Sequence, residues 1–520
     1  DGWYYLFASS ANCCAGPTTG YTVFVGRSRS PLGPFVDKYG DSMLASRTGG
    51  TPVIAPNGNK FIGTGHHSAA LDLSGETYMA YHAIDRNDPW LDVSPGFTMR
   101  PMNIDRMDWI DGWPIVRAGL GASDDEQPAP VTRGESDNRF EDGEHDFRVV
   151  KGKLTVAPED TKSDSGRFAS LDGALALGRP LGDRDVRVEA DVRTAGENAV
   201  GVVARGNVRA LLDKRKRELR VEAPGVVKRA KLPENFDFEA WHVLALEVRG
   251  RTVTADVTDA RLSDPWAIVE ARAAAAGPSG SAGVVGTGEV DNFSAHPLYR
   301  PVTKAVPAPK QGKLDRARSD EFTAGLGDGW TWLREDSEAK VEDGALRWPT
   351  QTADLVGDGT PGVLFRDDMP EGDYTIETKL TLDLGEDDNR NFQQAGFLVH
   401  LDDDDFLRYD VVAVGGTRIT EFGKETVFDG RRSWGGGVVG APGETTWLRL
   451  VHTRHPETGE HLYRAGSSND GKRWTWGLTW TLPADAEPRI GLVSHGSTPE
   501  TTEKYGPALA QFDYFRVYRH

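Results

Sequence analysis

Apolar and polar residues alternate in short stretches through the first part of the chain, separated by Gly, Pro and Asn. The clearest are YYLFAS at 4–9, YTVFVGRS at 21–28, KFIGTG at 60–65 and TYMAYHAI at 77–84. A period of two, rich in aromatic and β-branched residues, predicts half-buried strands, and the turn residues between them predict sheets rather than helices. The chain opens without Met on DGWYYLFAS, a run that needs sheet neighbours, so the sequence is expected to start partway into a sheet-rich unit.

Two stretches lose this pattern. GASDDEQPAP, at 121–130, is acidic and Pro-containing, and RPVTKAVPAPKQGKLDRARSD covers 300–320. Both read as linkers, placed at 121–136 and 300–318. They divide the chain into 1–120, 137–299 and 319–520, and the last two segments each have the size of one β-sandwich.

Those two segments resemble each other. Each begins on an acidic and Phe-containing motif, Asp137 to Phe140 in one and Asp320-Glu321-Phe322 in the other. Alternating strands follow, VRVEADV at 186–192 and YTIETKL at 374–380, and then Gly-centred apolar strands, AVGVVARG at 199–206 and QAGFLVHL at 394–401. The ends also match, Val290-Asp291-Asn292-Phe293 against Phe512-Asp513-Tyr514-Phe515. A first strand pairing beside the last one would produce such matched ends, as in jelly-roll sandwiches.

Composition narrows the function classes. A chain of 520 residues exceeds one ordinary core, and 60 Gly with 30 Pro suits many short strands. The net charge of -19 repels nucleic acid and anionic membranes but not a neutral polymer. No apolar run approaches the roughly 18 residues that a spanning helix needs. Neither nucleic acid nor membrane is therefore expected as a partner.

The strings YYLFASSANCC, YTVFVGRSRSPLGPFVDKYG, GTGHHS, YHAID and DGWP occur in that order within residues 4–114. Together they resemble the later blades of the five-bladed propeller of glycoside hydrolase family 43, most closely its arabinanase-like members. The resemblance implies an all-β fold: an incomplete propeller, last blades only, followed by two jelly-roll or concanavalin-like β-sandwiches. It implies a secreted, monomeric enzyme that hydrolyses α-1,5-L-arabinofuranosyl bonds of plant cell-wall arabinan with inversion, with xylan or arabinoxylan as the alternative substrate. Inversion uses two carboxyl groups about 6.5 to 9.5 Å apart, one protonating the leaving oxygen and one activating water.

In the family these carboxylates precede the point where this sequence opens, so the chain as given is expected to be inactive, with residues 1–120 weakly stable and exposing sheet edges. Asp37, Asp72, Asp85 and Asp105 remain, outside the family's catalytic motifs, and suit surface or turn roles. His66 matches the family histidine near the propeller axis that helps to hold a metal ion, often calcium; the other reading is a buried, hydrogen-bonded histidine. His67 stands where the family usually has Asn. Cys13 and Cys14 match the family's paired cysteines beside the sugar pocket, and are read either as a vicinal disulfide or as two small packed side chains. Arg100, in the last blade, either forks to sugar hydroxyls or makes a strand-edge salt bridge. Trp109 and Trp113 suit packing between blades.

The final segment holds eight of the 14 Trp residues. Trp474, Trp476 and Trp480 would share one strand face if no turn intervened, serving either as core or as a sugar platform. Asp402 to Asp405 form an acidic turn, and Glu321 and Asp513, at the matched ends, form a candidate calcium pair. A non-catalytic carbohydrate-binding protein, its tandem sandwiches gaining avidity from their linkage, is the competing functional reading.

Overall fold

The structure, a computed structural model, describes residues 2–46, 49–157, 166–182, 185–275, 280–357, 359–384 and 390–520. Among them strands dominate, and one α-helix occurs, Pro499–Tyr505. No described helix is long and apolar enough to cross a membrane. The chain forms two compact units. One comprises residues 1–68, 79–127 and 302–520, and the other residues 69–78 and 128–301.

In the first unit, the N-terminal segment makes two blade-like sheets. One contains Tyr4–Ser10, Thr22–Ser28 and Thr51–Ile54, and the other Phe61–Leu71, Thr77–Asp85, Met102–Ile110 and Trp113–Val116. The strand Thr22–Ser28 shows why this segment does not stand alone. Val23 and Val25 join Met79, Tyr81, Ala83 and Met107 in the core between the blades. Phe24, on the opposite face, packs with Val412, Ile419 and Val438 of the C-terminal sandwich. Ile62 and Ile84 likewise enter the sandwich core. Asn57 forms a parallel bridge with Thr479, whose N–H donates to Pro56 O at 2.8 Å. The open edges expected of two isolated blades are thus partly covered, because both faces of a central strand find apolar partners. The stretch expected as a linker at 121–136 is anchored at its start: Ala122 is buried, and its carbonyl accepts from Asn57 and Asn59 at 2.9 Å.

Residues 302–520 form a sandwich. One sheet has seven strands in the order Trp330–Leu333, Val363–Arg366, Arg489–His495, Gln394–Asp402, Asp405–Val414, Thr417–Phe428, Arg431–Gly440. The other has nine, centred on Tyr374–Asp383 and Thr445–Arg454. Trp348, Phe397, Tyr409, Phe422 and Phe512 fill the space between them. The first and last strands pair, Leu314 opposite Tyr518, and Asp320 bridges Phe515. The shared face expected for the three tryptophans does not form. Opposite Arg464 and Gly466 the strand Thr475–Leu482 carries an extra residue between Trp476 and Thr479, and such a bulge reverses the side-chain alternation. Trp480 lies in the core at 2% exposure, while Trp474 and Trp476 stack on each other outside it, ring centres 6.0 Å apart.

The second unit is one highly curved sheet. From one end its strands run Val226–Lys231, Glu218–Ala223, Val208–Asp213, Ala199–Ala204, Ser281–Pro297, Val186–Thr194, His242–Arg249, Thr252–Thr258 and Ala267–Arg272. Beyond the two end strands, the Ala274 N–H donates to Pro224 O at 2.8 Å, so the sheet folds over a Val-rich core. Its first strand, Ser136–Asn138, pairs with its last, Asn138 opposite Phe293. Phe140 and Phe322, the equivalent residues of the two modules, are both buried and both left-handed, with φ of 60° and 46°. The matched ends read from the sequence therefore correspond to matched geometry.

Candidate functional site

The edge strands of the two blade-like sheets bring the predicted histidines together. Ser9 stands one residue before the end of the strand Tyr4–Ser10; its Oγ accepts the His66 N–H at 3.0 Å and lies 3.0 Å from His67 Nδ1. Phe7, two residues earlier and hence on the same strand face, has its ring centre 5.6 Å from that of His67. His66 adopts a left-handed φ of 52°, a conformation uncommon outside Gly and Asn and enriched at functional positions. Its exposed ring meets His82 edge-on, centres 5.2 Å apart. The glycines of GTGHH permit this close placement, since a Cβ at Gly65 would lie 2.4 Å from the Tyr21 ring. Burial lowers the pKa of His67, and the charge of His66 adds to the effect. His67 is therefore neutral at pH 7 and can exchange one hydrogen bond in each direction.

A second cluster lies on the turn after the first strand. Cys13 and Cys14 form a vicinal disulfide, Cys13 half-buried and Cys14 exposed, so of the two readings the disulfide is the one observed. Two residues on, Gly16 sits beneath Trp90: a Cβ there would lie 2.3 Å from the indole ring. The Gly16 N–H donates to Thr98 Oγ1 at 3.2 Å. Arg100 follows in the same loop, half-buried, with no hydrogen bond or ion pair among the described residues. Trp109 and Trp113 pack edge-on against Tyr5, at 4.9 and 6.5 Å. Ser9, His82 and Trp90 escaped the sequence reading; of these, only Ser9 carried a signal, as a polar residue near the end of an aromatic strand in register with Phe7.

The remaining carboxylates of this region hold the fold together. Asp37 accepts the Tyr39 and Asp41 N–H groups, and burial raises its pKa against those bonds. Asp85 accepts the Asn87 N–H, and buried Asp105 accepts the Tyr81 hydroxyl at 2.6 Å and the Ser123 N–H. Asp72 lies in the other unit, where it accepts from Ser74, Glu76 and Val131. Each carboxylate has a local structural use.

Among the described residues no three His, Cys, Asp or Glu converge as metal ligands. Calcium prefers six to eight oxygen ligands, and beside His66 the described side chains supply the Ser9 hydroxyl and the imidazole nitrogens of His67 and His82. Glu321 pairs with Arg516 at 2.8 and 2.9 Å, and Asp513 with Lys379. Each partner of the expected calcium pair thus has its own cation. In the acidic turn, Asp403 is held by Arg334 and His400, and Asp404 by Arg432.

Residues 1–114 match the model of the glycosyl hydrolases family 43. Over 115 residues the chain is 33% identical to an extracellular exo-α-(1→5)-L-arabinofuranosidase of Cellvibrio japonicus, covering 22% of this chain and 30% of that protein. Over 114 residues it is 32% identical to an extracellular endo-α-(1→5)-L-arabinanase of Bacillus subtilis, covering 22% and 31%. Over 121 residues it is 36% identical to arabinan endo-1,5-α-L-arabinosidase C of Emericella nidulans, covering 22% and 36%. The chain spans about a third of the length of these relatives. Its N-terminal segment is thus similar to part of the family 43 glycoside hydrolases, and among them to arabinan-acting members.

Proposed function

We propose that the chain acts in the extracellular breakdown of plant arabinan, with residues 1–127 supplying one side of a sugar-binding cleft. The observation that carries this reading is the Ser9, His66 and His67 cluster on adjacent sheet edges, within a segment similar to extracellular arabinan-acting enzymes. Ser9 and neutral His67 can exchange hydrogen bonds with sugar hydroxyls, Cys14 offers a sulfur surface, and Arg100 provides a forked donor. Inverting hydrolysis additionally needs a general acid and a general base, and Asp37, Asp85 and Asp105 are committed to turns and to the core. The 520-residue chain by itself therefore binds arabinan without cleaving it.

Incubation with linear α-1,5-arabinan, read as released reducing ends, tests the second statement, and titration with arabinotriose tests the first. Binding without turnover is the expected result, with affinity reduced about tenfold in His67→Ala. Vigorous release of arabinose would place catalytic carboxylates elsewhere and overturn the assignment of roles. Binding of xylotriose in preference to arabinotriose would shift the substrate to xylan.

A further inference from the structure

In the unit built from residues 69–78 and 128–301, the sheet face turned away from the core encloses a cavity of about 490 Å³. Its floor is the strand Val186–Thr194. Val186, Val188, Ala190 and Val192 fill the core, which leaves Glu189 and Asp191 facing the cavity. Against this strand, Glu189 pairs with Ser294 but Asp191 pairs with Asp291, so the partner strand carries one extra residue at Asn292-Phe293. Bulges of this kind re-aim side chains and gather next to functional sites. Here Asn292 is left-handed, φ 47°, and its amide donates to Asp191 Oδ2 at 2.8 Å while its N–H donates to Asp291 Oδ1 at 2.7 Å.

Two polar groups at this cavity lack partners. The Ser294 hydroxyl belongs to a residue only 3% exposed and makes no hydrogen bond, and the Trp241 Nε1–H is likewise buried and unpaired. Buried donors left unpaired are costly, and native folds keep them where a ligand or ordered water satisfies them. Glu189 is already neutralised by Arg187 at 2.9 Å and Arg261 at 2.7 Å.

The lining selects the ligand by elimination. Asp137, Glu189, Asp191, Asp259 and Asp291 outnumber Arg139 and Arg261, so an anion is repelled. A bare metal ion has no converging set of three ligands among the described residues. A volume of about 490 Å³ suits a small molecule. An organic cation would find Glu189 already paired with Arg187 and Arg261, Asp137 with Arg139, and Asp259 bonded to His242, so the lining best suits a neutral ligand whose many hydroxyls both donate to carboxylates and accept from Ser294, Trp241 and the arginines. We propose that this cavity is a carbohydrate-binding site taking one or two sugar rings of a neutral polysaccharide. The proposal stands apart from the reading of the N-terminal cluster, since none of Ser9, His66, His67, Cys14 and Arg100 lines this cavity.

The test is calorimetric titration of the full 520-residue chain carrying Ser9→Ala/His67→Ala, which removes the N-terminal cluster, with α-1,5-arabinobiose, β-1,4-xylobiose and lactose, repeated after adding Ser294→Ala or Asp191→Asn. At least one disaccharide is expected to bind, with affinity about tenfold weaker after either cavity substitution. The melting temperature should stay equal or rise when Ser294→Ala is added, because the hydroxyl bonds to nothing in the free protein; this separates loss of binding from loss of fold. The proposal is overturned if no disaccharide binds, if binding survives both cavity substitutions, or if calcium alone raises the melting temperature of the starting variant and not of its Asp191→Asn derivative.

Discussion

The central curved-sheet unit and the C-terminal sandwich begin and end alike but treat their outward-facing polar residues differently. In the central unit, Glu189 and Asp191 stand at an open cavity, and Arg187 and Arg220 spread their charge over several carboxylates. In the C-terminal sandwich, the outward face of the strand Asp405–Val414 carries Phe406, Arg408, Asp410 and Val412, all buried. Arg408 meets Asp410 at 2.7 Å, Glu421 at 3.1 Å and Asp354 at 3.6 Å, and Trp434 stacks on its guanidinium. Phe24 of the N-terminal segment closes the neighbouring end of this face at Val412. One strand pattern thus serves either a ligand-accessible face or an internal interface, depending on what covers it.

The largest effect that would sharpen this contrast is expected from Arg408→Ala. Removing the cation leaves Asp410, with no exposed surface, without its partner, and breaking a buried pair costs about 3 to 5 kcal/mol. Urea denaturation should show the loss in the unit containing residues 302–520. Phe24→Ala should cost about 3 kcal/mol through the cavity it leaves. That loss should appear in the melting of the C-terminal sandwich; if that transition stays in place, the N-terminal segment and the sandwich are separate folding units.

The effect of pH has two signs. Burial lowers His452 and His495 to about 3, from 6.5. Their contribution is complete above pH 6.5 and is lost as pH falls towards 3, because the unfolded chain takes up protons first. Burial raises Glu425 to about 7, from 4.5, and Asp256 of the central unit to about 6, from 3.8. These contributions are complete below the unfolded values and are lost as pH rises through the folded ones. Glu425→Gln should therefore flatten the decline in melting temperature between pH 4.5 and 7 for the C-terminal sandwich, and Asp256→Asn should do so between pH 3.8 and 6 for the central unit. The smallest effect belongs to Arg179→Ala, whose pair with Asp146 is 72% and 64% exposed. Loss of such a pair should change stability by less than about 1 kcal/mol.

Much of the architecture was legible because strand periodicity is a local property. The pairing of first and last strands followed from repeated end motifs, and Ser136–Asn138 and Lys313–Leu314 fulfil it. The site was less legible. His66 and His67 stood out through their glycine-framed motif, yet Ser9, which joins them, lies 57 and 58 positions away. The opposite placement of Trp476 and Trp480 was not legible, because the bulge before Trp480 is set by the partner strand at Arg464 and Gly466.

The sequence by itself determined the strands, the module ends and the family that the N-terminal segment resembles, since turn residues, alternation and short motifs act within a few positions of the chain. Tertiary structure alone decided what lies over each outward face. Whether Asp191 looks into a cavity, Asp410 is sealed within a core, or Phe24 finds Val412 depends on which distant segment arrives there, and alternation records only that a side chain points away from its own sheet.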